Sequence, residues 1–202
     1  MNQDRWLMLM RSLALAPSLD IYEQLSRAYC ETHRFYHTNE HINAMLKHFD
    51  HVLPMAEHPA EVELAIWFHD AIYKPLSSTN ERDSAEWVKA FLISAGAGEN
   101  VVYRVYDLVM ATMHNVELVG NDQHLIVDID LAILGASETD YDVFERNVRK
   151  EYKWVPFFLY KKKRKEVLLS FLDRQRIYTL DYFYNKFEDV ARSNLERAIA
   201  QL

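Results

Sequence analysis

An all-α fold, a single-domain helical bundle, is what this sequence predicts, and three observations carry the prediction. Glycine (4) and proline (5) are scarce among 202 residues, whereas a sandwich or barrel needs many tight turns. Apolar residues recur at three- and four-residue spacing along most of the chain, the period of a helix buried on one face. Capping residues and glycines fall where those periodic stretches stop. At this length one sizeable core can be buried.

Taken in order, Trp6, Leu7, Met10, Leu13 and Leu15 predict a first helix that stops near Ala16-Pro17. Ser18 is suited to cap a second, through Ile21, Leu25, Ala28 and Tyr29. A third begins near Thr38 and carries Ile42, Met45, Leu46 and Phe49. Pro54 and Pro59 bracket a loop, after which Val62, Leu64, Ala65, Ile66 and Phe68 lead into HDAIY. Ser78 and Glu81 fit a capping box for the helix NERDSAEWVKAFLISA, closed by Gly96-Ala97-Gly98. Another helix passes through Val101, Val105, Leu108, Val109 and Thr112. The stretch HLIVDIDLAILG is β-branched enough for a strand. A lone strand would have nothing to pair with, so it is read as helix up to Gly135. Ser137 and Asp140 open the next helix, with Tyr141, Phe144 and Val148, and two more occupy roughly 160–174 and 181–201.

A net charge of −7 argues against a general nucleic-acid coat protein. The run Lys161 to Lys165 lacks an aromatic-interleaved basic stripe and is read as a solvated helix face. The single cysteine, Cys30, allows no internal disulfide. Asp4, Arg5 and Arg11 interrupt the apolar N-terminus, so no signal peptide is expected, and no run approaches the ~20 residues of a membrane-spanning helix. The expectation is a cytoplasmic protein with a small-molecule ligand, without membrane or nucleic-acid partners, and compatible with a homodimer.

Three polar intrusions into apolar stretches point to chemistry. In WFHDAIY, His69 and Asp70 sit side by side in a greasy run, where unpaired burial would cost several kcal/mol. His33, His37 and His41 are spaced i, i+4, i+8 and share one face if that stretch is continuous helix. In DIDLAILG, Asp128 and Asp130 stand among leucines and isoleucines. A mixed nitrogen and oxygen donor set suits a divalent Mn, Co, Fe or Zn ion.

The order H…HD…D resembles the HD-domain superfamily of metal-dependent phosphohydrolases. The wording RFYHTNEHINAML, AIWFHDAIY, NERDSA, ATMHN, DIDLAILG, VRKEY and ARSNL is similar to one branch, the predicted HD-superfamily phosphohydrolases of small helical bacterial proteins. The likeness spans about residues 34–196. It implies a single HD-type domain over 1–202, with a motif-bearing core at about 34–135 and C-terminal helices at 138–202. It implies a divalent ion (Mn, Co, Mg, Fe or Zn) held by His41, His69, Asp70 and Asp130, the last because the family's final ligand is the aspartate directly before a leucine or arginine. His37-Thr38-Asn39-Glu40-His41 is similar to the H-N-x-x-H motif of cyclic-nucleotide phosphodiesterases, which implies His37 as general acid, with the two histidines' roles open to exchange. Asp70 or Asp128 would accept a proton from water. Arg34, Lys74 and Arg82, each beside a motif, and His114 would contact a phosphoester, with nucleotides as the expected class. For Arg149 of VRKEY a structural pair with a carboxylate is expected. The same fold also houses di-iron oxygenases, for which His114 and His124 would be extra ligands, and a non-catalytic nucleotide sensor is the other alternative.

Overall fold

The computed structural model describes residues 2–202 and is all-α: ten α-helices and two short 3-10 turns, with no strand among the described residues. The chain divides into two compact units, Met1–Ile129 and Asp130–Leu202.

In the first unit, α1 (Gln3–Ser12), α2 (Leu19–Ala28), α3 (Asn39–Val52), α4 (Pro59–Phe68), α5 (Asn80–Ser94) and α6 (Glu99–Ala111) are followed by α7 (Asn121–Asp130). Helix α4 is its axis. Its Val62, Leu64, Ala65, Ile66, Trp67 and Phe68 are all buried, the mark of a helix surrounded on every side. It packs against α1, α3, α5 and α6. Trp6 of α1 meets Trp67 edge-on at 5.4 Å, and Phe68 stacks on Phe91 of α5 at 6.0 Å. The acids of α4 are paired: Glu61 with Arg104 of α6 at 2.7 Å and Glu63 with Arg5 of α1 at 2.8 Å.

Several helix ends fall where the sequence places them. Pro59 starts α4, Ser18 precedes α2, and the hydroxyl of Thr38 accepts from the Glu40 N–H at the head of α3. Gly96, at φ +76°, closes α5: its N–H bonds Ile93 O and the Ala97 N–H bonds Leu92 O, a Schellman ending. Two ends differ. Helix α1 stops at Ser12, short of Ala16-Pro17, because Ala14 turns left-handed (φ 54°) and Leu15 N–H reaches back to Met10 O. The cap of α5 is Thr79 rather than Ser78, and its hydroxyl donates to Asp83 at 2.9 Å, so no Ser78–Glu81 box forms.

The stretch read as helix rather than strand is α7, continued as a 3-10 turn over Leu131–Gly135. In the second unit this turn lies against α10 (Asp181–Gln201), beside α8 (Glu138–Glu151), with α9 (Phe157–Leu172) also on α10. Gly135 permits the approach, since a Cβ there would stand 2.5 Å from Cβ of Phe187. Buried Asn194 donates to the carbonyls of Leu134 and Ala136 on either side. The ARSNL motif is therefore a staple: Arg192 bonds Glu188 and the carbonyls of Leu172, Arg174 and Gln175, while Glu188 accepts the N–H groups of Ile177 and Tyr178. Arg149 of VRKEY is held by carbonyls too, those of Tyr152 and Val155, in place of the carboxylate partner expected for it.

Candidate metal centre

The end of α4 explains how two adjacent side chains can converge. Its last residue is Phe68, His69 is the C-cap, and the chain turns at once, with Ala71 N–H bonded to Phe68 O. Inside a helix, side chains at i and i+1 diverge by about 100°. Because Asp70 lies beyond the helix, its carboxylate folds back to place Oδ2 2.9 Å from His69 Nε2.

Opposite stands His41, one turn into α3. Its Nε2 is 3.2 Å from His69 Nε2 and 3.7 Å from Asp70 Oδ2. Both imidazoles are buried. Asp130, the last residue of α7, joins the two imidazoles in a trio: His41, His69 and Asp130 each offer a ligand atom within 4.8 Å of one another, whereas Asp70, against both imidazoles, is not part of that trio. The donor chemistry fits a divalent cation. His69 Nδ1–H donates to Ile66 O at 3.0 Å, which turns Nε2 toward Asp70. In the neutral ring that Nε2 carries a lone pair facing a carboxylate oxygen, so a proton or a metal must lie between them. Separations of 2.9–3.7 Å are near the roughly 3.0–3.5 Å expected between neighbouring ligands of an ion bonded at about 2.1 Å.

The electrostatics agree. Burial alone would raise the Asp70 carboxyl, but His69, His37 and His41 outweigh it and hold the group below the usual carboxylate range. The carboxylate is thus held in the anionic form that a cation would meet. Asp128, the other carboxylate expected to take a proton, is 0% exposed and not a member of the group. Two residues before Asp130 on α7, it points about 200° away.

His33, His37 and His41 do not share a helix face. Thr38 caps α3, so His33 and His37 lie in the preceding turn and only His41 is helical. His37 is nevertheless at the site: its half-buried ring stacks on Tyr73 at 4.1 Å and lies 6.2 Å from the His41 ring. His33 Nε2–H donates to the Tyr73 carbonyl at 2.8 Å.

Arg34 is at the site and holds backbone on both sides of it. Its buried guanidinium donates to the carbonyls of Asp70 (2.6 Å), Ala71 (3.0 Å) and His37 (3.3 Å) and to Glu31 (2.9 Å). These bonds make Arg34 a clamp joining the His37 turn to the HD turn. Lys74 is exposed on the loop after Asp70, its backbone tied to Asn80. Arg82 is exposed in the first turn of α5. His114 follows α6 in the left-handed region, at φ 59°, and neither it nor His124 belongs to the ligand group.

Sequence reading missed Tyr73, which the greasy HDAIY run disguised as core. It also missed a second group, Glu57, His58 and Asp122, with ligand atoms likewise within 4.8 Å. Asp122 there accepts the N–H groups of Glu57 (2.8 Å) and His58 (2.9 Å) at the head of α4. Its partners lie more than sixty residues away in sequence, so no local pattern signals them. In comparison with known proteins, no family model, curated protein or solved structure matches this chain.

Proposed function

We propose that the chain is a cytoplasmic metal-dependent phosphohydrolase of the HD-domain type, acting on a phosphomonoester or phosphodiester, with nucleotides the first class to test. One observation carries the reading: two imidazole Nε2 atoms 3.2 Å apart with the Asp70 carboxylate against both and Asp130 beside them. The ordered series of motifs in the sequence supports it.

His41, His69, Asp70 and Asp130 would hold the ion, and Mn, Co, Fe or Zn suits two imidazoles and two carboxylates better than Mg does. A divalent ion there supplies Lewis acidity toward a phosphoryl oxygen and lowers the pKa of water. The residues of the chain do the rest. Asp70 stays anionic and fixes the imidazole pair. His37, half-exposed and stacked on Tyr73, protonates the departing oxygen. Arg34 keeps the His37 turn in register with Asp70 by holding both backbones.

The test is turnover of a phosphomonoester and phosphodiester panel by metal-stripped protein resupplied with each ion in turn. His69→Ala should abolish both metal content and turnover. His37→Ala should keep the metal and lose turnover by about 10²-fold or more. Protein that rebinds metal yet turns over nothing in the panel would refute the hydrolase reading.

A further inference from the structure

The head of α9 does something the metal centre does not require. Residues 153–165 (KWVPFFLYKKKRK) hold six cations and no acid, in a chain of net charge −7. Within them Trp154, Phe157 and Phe158 are 54%, 59% and 77% exposed. Aromatic surface of this size clustered at one helix end is uncommon on a free protein.

The display is braced by Arg149. Arg149 holds the carbonyls of Tyr152 and Val155 and lies over the rings of Phe157 and Tyr160, so the turn carrying Trp154 is braced from behind. Helix α9 itself buries only Tyr160 and Leu168. At 100° per residue, Phe158, Lys162, Lys165 and Leu169 form one stripe on the side away from that buried line, and all four are exposed. Arg164 points elsewhere, bonded to Glu145, and Lys163 pairs with Glu166. Lys162 and Lys165 make no ion pair among the described residues.

From this arrangement we infer that the head of α9 docks on an anionic lipid surface, with Trp154 and Phe158 entering the interface and Lys162 and Lys165 meeting the headgroups. No helix of the described residues is long and apolar enough to cross a membrane, and the expectation of no membrane partner rested on that; association with a surface needs no such helix. Exposed aromatics beside lysines are the composition of interfacial helices, and a local excess of cations complements anionic headgroups. A second copy of the chain fits less well, because a two-fold interface through this face would set two lysine runs against each other.

The experiment is co-sedimentation of the full chain with vesicles of phosphatidylcholine alone and with about one third phosphatidylglycerol, at low and high salt. Binding should require the anionic lipid and fall with salt. Phe158→Ser, fully on the solvent side, should weaken it about tenfold. Lys162→Glu with Lys165→Glu should weaken it by about 25-fold or more, each lysine contributing about fivefold. Absence of binding to anionic vesicles, or binding that both variants leave unchanged, overturns the inference. So does a dimer in sedimentation velocity that Phe158→Ser dissolves, which would give the face to a second copy. No outcome depends on catalysis.

Discussion

His69 Nε2 and Asp70 Oδ2 lie 2.9 Å apart, and His69 Nδ1–H is already engaged by Ile66 O. Two acceptor atoms this close need a proton between them when no ion is bound. Because Asp70 is held below the usual carboxylate range, it is anionic with or without metal, and the proton that must leave on metal binding comes from the ring. Binding should then release about one proton near neutral pH, and affinity should rise with pH. Calorimetric titrations in two buffers of different ionisation enthalpy measure this directly. Heats that do not change with the buffer would mean that His69 Nε2 carries no proton to displace. Asp70→Asn should reduce the release, since the amide N–H can face Nε2 in place of the shared proton.

Among elements, the connection between the turn before α3 and the turn after α4 decides whether a site exists. His69 and Asp70 are placed by the end of α4, whereas His37 lies in a turn tied to the HD segment by Arg34, by the His33–Tyr73 bond and by its own stack on Tyr73. Arg34→Ala would leave the buried carbonyls of Asp70 and Ala71 without their donors. A loss of about 2–4 kcal/mol follows, read as a lower urea midpoint at unchanged slope; Arg34→Lys should recover only part of it, since one ammonium cannot serve carbonyls on both turns. An unchanged midpoint in Arg34→Ala would show that the turns are held by other contacts. The same junction marks the limit of what the sequence reveals. Helix starts at Thr38 and Ser137 were legible because a cap is a local interaction, while Ser18 stands at the head of α2 without a side-chain capping bond. The helical reading of DIDLAIL followed from the absence of any strand to pair with it. The face proposed for His33, His37 and His41 failed for a local reason as well: the Thr38 cap that starts α3 also ends any continuous helix before it. Arg34 stood beside a motif and was read as a phosphate contact, because only the fold brings Asp70, thirty-six residues on, under its guanidinium.

At the scale of the whole molecule, the candidate metal centre would draw its ligands from α3, the end of α4 and the end of α7. Unfolding separates residues that span positions 41 to 130, so any ion bound there is bound by the folded chain alone. Linkage then sets the size of the effect: an ion at about a thousand times its dissociation constant adds about 4 kcal/mol. For a chain of this size each kcal/mol moves the midpoint by about 2–4 °C, so the expected rise is on the order of 10 °C. Thermal unfolding of stripped protein, followed as the ion is titrated back, measures it. The rise should be absent in His69→Ala, which removes a ligand atom of the trio, and the comparison is made between the stripped and ion-loaded forms of that same variant. It should persist in His37→Ala, which removes no ligand. The second group at Glu57, His58 and Asp122 provides the control: exposed at Glu57 and built around a helix cap, it predicts no rise that survives His69→Ala. A full rise in that variant would move the ion to the second group and take the hydrolase reading with it.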